Sequence, residues 1–347
     1  MPRNILMMAA LVPLFAATAA IGQSQTSAEL TDFFKQHIRL DQQQIAAIQR
    51  GEAFAKNLDT RSADEVFVFG VVYIKGPPEG YVKFASDFNV LRKNPEILAI
   101  ERFSNPPQLA DLQGFTLDSK DIEDLRDCKP TDCNLQLAAS GINELHRTVN
   151  WSAPDVEKQV NQLARKKALQ LLLAYQKEGN KVLGVYNDKH DPNEVAAQFK
   201  YMLSFAKVLP KALPKFYNYL LDYPRGNPGN VESTFYWANV KFGLKPTQRL
   251  VHVLILRGSH PKEPAYTIAE KQLYSSHYFE SALDLTYLVR GDDLQTSGYY
   301  LIKVMGSEQS GLTGFKGSLL RKVAVSKSVS TLEASLAAVK RTLEQTQ

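Results

Sequence analysis

The 347 residues carry 41 lysines and arginines against 36 aspartates and glutamates, a formal net charge of +5, with 44% hydrophobic residues and two cysteines. A globular chain of this length can bury a substantial core as one large domain or two ordinary ones. Its basic excess is spread along the chain, not gathered in one run or face, which argues against a nucleic-acid partner.

The opening MPRNILMMAALVPLFAATAAIGQ has one basic residue, an apolar stretch from Ile5 to Ala17, then small residues. That order predicts a secretory signal peptide over 1–22. The stretch falls short of the roughly 20 residues a membrane span needs, and no later segment is apolar for longer, so no transmembrane segment is expected in the mature chain. Ala17-Thr18-Ala19 offers a small-x-small cleavage site, and the protein is expected to be exported, periplasmic or secreted. The only cysteines, Cys128 and Cys133, lie in DLRDCKPTDC. Zinc wants four ligands, and His146, the nearest histidine, stands alone. In an exported protein the pair reads as a local disulfide across the Lys129 to Asp132 turn, contributing on the order of 2 kcal/mol through loop entropy.

In chain order, Ser27 to Arg50 predicts an amphipathic helix within an N-terminal helical segment, 23–60. EVFVFGVVYI, with Val66 to Ile74 almost continuously apolar, predicts a buried strand. It stops at KGPPEG, after which EGYVKFASDFNVLRKNPEI reads as one or two short helices ending before Pro95. Ile97 to Phe103 and Leu109 to Leu117 read as short strands, completing 61–117. From 118 to 225 the pattern is helical: KQVNQLARKKALQLLLAYQKEG, EVAAQFKYMLSFAKV and PKFYNYLLDY, closed by the turn-rich PRGNPGN. Across 226–347 strands return in VESTFYWANVKF, QRLVHVLILRG, Ala265 to Val289 and GYYLIKVMG. Their short connections predict an antiparallel meander, and the third stretch is long enough to require a bulge, bend or tight turn. Val325, Val329, Leu332, Leu336, Val339 and Leu343 then recur at steps of four and three, the mark of a closing helix with one buried face.

VVYIKGPPEGYVKFASDFNVLRKNP resembles the opening of START-like proteins, the helix-grip superfamily of lipid-transfer domains and polyketide cyclases. GFKGSLLRKVAVSKSVSTLEASLAAVKRTL resembles their closing helix. The resemblance covers the two ends and the late meander and carries no invariant catalytic signature. It implies an α+β fold in which a curved antiparallel sheet is crossed by a long C-terminal helix. On that reading 61–117 and 226–347 are two parts of one domain, and 118–225 is a helical insertion bearing the cysteine pair. It further implies an apolar cavity and a hydrophobic small molecule or lipid as partner.

Among chemistry-bearing residues, His277 lies in LYSSHYFESALDLTYLV with Glu280 and Asp284 after it. Strand alternation puts His277 on one face with Leu273, Ser275 and Phe279 and Glu280 on the other, against a simple catalytic couple. No G-x-S-x-G elbow, Walker loop, H-E-x-x-H or dinucleotide fingerprint is present, and no cofactor is expected. Asp188-Lys189-His190-Asp191-Pro192 reads as a charged turn before a helix, not a metal site. The expected function is carriage of an apolar, lipid-like or polycyclic ligand, with Trp237, His252, Tyr274 and His277 as pocket candidates and no catalytic residue assigned. A cyclase or hydrolase using the same cavity and a scaffold with a filled core are the alternatives.

Overall fold

The structure is a computed structural model describing residues 20–206, 208–242, 245–291, 298–309, 311–312 and 314–345. The expected leader therefore falls almost entirely outside the described residues. α1 (Ala20–Gln36), α2 (Gln42–Gln49), β1 (Phe54–Asn57), β2 (Glu65–Lys75), α3 (Glu79–Ala85), α4 (Phe88–Leu91) and β3 (Ile97–Arg102) lead into a helical block. The block holds α5 (Ser119–Asp127), α6 (Ala139–Thr148), α7 (Val156–Glu178), the two-residue strands β4 (Val185–Tyr186) and β5 (Asn193–Glu194), α8 (Val195–Ser204), α9 (Leu209–Ala212) and α10 (Pro214–Asp222). Four strands follow, β6 (Val231–Phe242), β7 (Lys245–Arg257), β8 (Tyr266–Ser275) and β9 (Phe279–Arg290), then β10 (Gly298–Gln309) and α11 (Gly314–Gln345). Eight of the strands form one curved antiparallel sheet in the order β1-β2-β10-β9-β8-β7-β6-β3, with α11 packed on it. The fold is α+β, as the sequence predicts.

Two segments depart from the sequence reading, each for a local reason, and a third turns as expected. The single helix over Ser27 to Arg50 is two helices: Arg39 takes a φ of 58°, and Asp41 caps α2 by accepting from the Gln44 amide. Leu109 to Leu117 is not a strand. Asp111 accepts hydrogen bonds from the backbone amides of Ser104 and Gln108, which winds Leu109–Leu112 into a 3-10 turn. The long stretch from Ala265 is two strands turning at Ser276 to Tyr278, where Tyr278 has φ 61°. Cys128 and Cys133 are disulfide-bonded across the expected turn, with Lys129 and Asp132 exchanging backbone hydrogen bonds.

The sheet buries both faces, each under a different cover. On β2, Val66, Val68, Val72 and Ile74 face α11, while Phe67, Phe69 and Val71 face the other way. That second face is covered at the β2 end by α1, α2 and the turn between them through Phe34, Ile38, Ile45 and Ile48. Farther along, Leu172, Tyr175, Phe199, Leu203, Phe216 and Leu220 of the helical block cover β6 to β9. It is called the block face below, and its opposite the terminal-helix face.

α11 runs along β2 in register with it. Arg321 bonds the carbonyls of Ala63 and Glu65 near the start of the strand, and Lys340 and Glu344 meet the Tyr73 carbonyl and the Lys75 amide near its end. The lengths agree: both the helix between Arg321 and Glu344 and the ten-residue advance along β2 span about 34 Å. At the midpoint Leu332 and Leu336 sit directly on Gly70, where a Cβ would come within 2.7 Å of Leu332. Leu336 is 1% exposed. Leu336→Ala is therefore expected to cost about 2–5 kcal/mol in denaturant unfolding. A cost below about 1 kcal/mol would mean that the helix is not anchored there.

Candidate functional site

Antiparallel strands are about 4.8 Å apart and a helix with its side chains is about 10–12 Å wide, so α11 lying along β2 covers about two strands. α3 and α4, which link β2 to β3, reach over the same face from the side. Tyr81 of α3 packs with Leu288, Leu301 and Ile268, and Phe88 of α4 meets Tyr236 edge-on at 5.7 Å.

Between these covers the strands place a polar group of residues that would be unexpected in a filled core. Register opposes Glu270 of β8 directly to Asp284 of β9. Asp284 is opposite Met305, and Lys303 is opposite both Thr286 and Gly70. Tyr236 donates to Glu270 at 3.3 Å, and Arg249 on the neighbouring strand donates to Gln272 at 3.1 Å. Thr286 hydrogen-bonds Tyr81. The side chains of Tyr236, Arg249, Glu270, Asp284, Lys303 and Met305 all remain partly exposed despite their mid-strand positions. Val253 and Ile255 are partly exposed on the same face, giving the group an apolar border.

The electrostatics follow from two carboxylates facing each other across adjacent strands, an arrangement that is destabilising unless balanced. Burial pushes the Asp284 carboxyl up to about 6, and Glu270 adds to that, while Lys303 and Arg249 oppose it. Tyr81, Glu270 and Asp284 hold the Lys303 ammonium above its ordinary range against desolvation. Burial raises the phenols of Tyr81 and Tyr236. The hydroxyl of Tyr299, which shares this face, is buried without a hydrogen-bond partner. An acid with its pKa near neutrality, two cations and two phenols can orient a ligand carrying hydroxyl or carbonyl groups, and Asp284 can exchange a proton with it.

The four residues expected to line a pocket lie elsewhere. Trp237, His252 and Tyr274 are on the block face, and His277 stands at the β8–β9 turn. The Trp237 indole donates to the Asp111 carbonyl at 2.7 Å, and its ring meets Phe115 edge-on. Tyr274 packs against Tyr186. His277 bonds Asp121 of α5 through Nε2 at 2.9 Å and the Asn134 carbonyl through Nδ1 at 3.1 Å. Asp121 also accepts from Lys245, so this cluster ties the block to the sheet. Asp284, considered with His277 on the sequence, belongs to the terminal-helix face.

His252 forms a chain that imitates a catalytic dyad, since Ser233 Oγ lies 2.8 Å from Nε2 and Tyr175 Oη 3.1 Å from Nδ1. Ser233 in turn bonds Tyr223. Burial keeps the Tyr175 phenol protonated and the imidazole neutral. The chain is satisfied from end to end when Tyr175 donates to Nδ1, Nε2–H to Ser233 and Ser233 to Tyr223. In that tautomer Nε2 carries the proton and cannot accept one from serine. Lys271 lies beside it, 2% exposed, its amine nitrogen bonded to Asn180 Oδ1 and 3.6 Å from the Phe199 ring centre.

A groove of about 990 Å³ also runs between α11 and Gly51 to Asn57, floored by Ala53, Val325, Val329 and Ala337. Two of its basic residues, Arg321 and Lys340, already bond backbone carbonyls, and the opposed carboxylates are not part of it. The polar group on the terminal-helix face is the stronger site. It escaped the sequence reading because its members come from five strands and α3 and meet only through register. The available signal was a charge inside an otherwise apolar strand, as in SALDLTYLV and YLIKVMG. Comparison of the sequence with protein-family models and with curated proteins finds no match.

Burial lowers the Lys271 pKa well below the usual lysine range. An unfolded lysine keeps its proton up to about pH 10.4. The unfolded state thus binds more protons over the interval below that value, and stability rises with pH across it. Lys271→Met has no proton to lose, so in urea unfolding it should exceed the parent in stability at about pH 7, by a margin that shrinks towards about pH 10. A margin unchanged with pH would contradict a neutral buried amine.

Proposed function

We propose that the protein binds or carries an apolar, lipid-like or polycyclic ligand outside the cytoplasm, holding it on the terminal-helix face. The observation that carries this reading is the partly exposed polar group of Tyr236, Arg249, Glu270, Asp284 and Lys303 beside the buried Tyr81, bordered by Val253, Ile255 and Met305. Ligand sites combine an apolar lining with a few placed polar groups, and this face has that composition. The apolar residues take the body of the ligand while Asp284 and its neighbours orient a hydroxyl or carbonyl. The START-like resemblance of the two chain ends agrees with a ligand held between sheet and helix. The proposed export rests on the leader pattern and is compatible with the bonded cysteine pair.

A second reading, an enzyme of the cyclase or hydrolase kind, is favoured by one observation: Asp284 has its pKa near neutrality beside another carboxylate, the condition for general acid–base work.

Native mass spectrometry of protein purified from its own host, followed by organic extraction, should release a lipid or polycycle. Affinity for that ligand should change in one step near pH 6 as Asp284 ionises, rising on the acid side for a carbonyl-bearing ligand and on the basic side for a hydroxyl-bearing one. Asp284→Asn should abolish the step. An empty protein, or a step that survives in Asp284→Asn, would remove Asp284 from the site. N-terminal sequencing of exported material should begin between Ala20 and Gln23, whereas a cytosolic protein retaining Met1 would remove the export argument.

A further inference from the structure

α11 begins about two turns before its bond to β2 at Arg321. Its buried leucines, Leu332, Leu336 and Leu343, all lie in its second half, and its anchorage to the start of β2 begins only at Arg321. In the first half, while Val325 and Val329 pack toward the sheet, three large apolar residues point outward: Leu319 is 66% exposed, Leu320 56% and Val323 59%. At 3.6 residues per turn, Val323 and the sheet-facing Leu332 are two and a half turns apart, on opposite sides of the helix. On the same outward stripe Lys316 precedes the apolar trio and Lys327 follows it, both exposed, with exposed Lys322 on its flank. From Gly314 to Leu332 the helix contains four basic residues, Lys316, Arg321, Lys322 and Lys327, and no acidic one.

We infer that the first half of α11 is a docking surface for an anionic lipid bilayer. Clustered large apolar side chains exposed on one side of a helix mark an interaction surface. The charge pattern selects the partner, because lysines bracketing a narrow apolar stripe fit the arrangement in which the apolar residues enter the acyl boundary and the ammonium groups meet anionic headgroups. Arg321, bonded to Thr60 and to the carbonyls of Ala63 and Glu65, ties this half of the helix to the body of the protein. Docking would therefore bring the whole sheet to the membrane. The inference stands on exposure and charge and does not depend on the ligand site.

The test uses the full chain, whose two cysteines are disulfide-bonded, so that an introduced thiol can be labelled alone. An environment-sensitive dye on Leu320→Cys should shift to the blue and become shielded from aqueous iodide on addition of phosphatidylglycerol vesicles. It should do neither with phosphatidylcholine vesicles, and the same dye on Lys262→Cys, in the exposed loop before β8, should do neither with either. Because the readout is local to α11, vesicle contact through the apolar first residues would not produce it. The shift should weaken at least ten-fold at about 0.5 M salt, where the Debye length falls to a few ångströms, and on combining Lys316→Gln, Lys322→Gln and Lys327→Gln. In unlabelled protein, Leu319→Ser, Leu320→Ser and Val323→Ser together should leave the thermal melt in place, since all three side chains are exposed. Full iodide access at Leu320→Cys on phosphatidylglycerol would overturn the inference. So would shielding that rises with protein concentration without vesicles, which would make the stripe a contact between copies of the chain.

Discussion

The seat of Leu332 and Leu336 on Gly70 sets the layout of the molecule. A side chain at residue 70 would hold the helix off the sheet, and its absence lets α11 lie in close contact along β2. Once the helix is fixed there its width covers about two of eight strands. The rest of that face must be covered by α3 and α4, filled by a ligand, or left wet. The same seat decides which part of α11 is held by packing and which part presents its apolar side chains outward.

The two faces of the sheet resolve burial in different ways. On the block face the buried histidines and the buried lysine are paired, His252 with Tyr175 and Ser233, Lys271 with Asn180, His277 with Asp121 and the Asn134 carbonyl, although Thr267 Oγ1 and Gln248 Oε1 are not. Unpaired buried polar groups are costly, and these pairings offset the cost of burying titratable groups. On the terminal-helix face the carboxylates are opposed, the mid-strand side chains keep some exposure and the Tyr299 hydroxyl is unpaired. The contrast arises within one sheet and between neighbouring residues of the same strands, so it does not come from a difference in composition between domains.

The strands were legible where turn residues punctuate apolar runs, and VESTFYWANVKF maps onto β6 residue for residue. Leu109 to Leu117 misled because its apolar content suits a strand, whereas its backbone is organised by one carboxylate, Asp111, accepting from residues before it. The histidines drew attention because a histidine is chemically conspicuous in any sequence. Glu270, Asp284 and Lys303 did not, since each reads as the solvent-facing member of an alternating strand. Only register turns three such residues into one cluster, and strand register is set by long-range pairing that no local pattern encodes.

A scaffold would have little reason to keep that cluster. Opposing Asp284 to Glu270 costs stability, and burying charges that well-packed apolar residues could replace is often neutral or unfavourable. Lys303 and Arg249 reduce the cost without removing it, for the Asp284 carboxyl still sits near neutrality, with burial as the largest cause. A sheet selected for packing alone would place valine or isoleucine at these positions, as this one does at Val251, Val253 and Ile255 immediately alongside. On the proposed reading, charged and hydrogen-bonding groups are retained where the covering helices stop for recognition or proton transfer, and a bound partner molecule would recover the stability lost in the free protein.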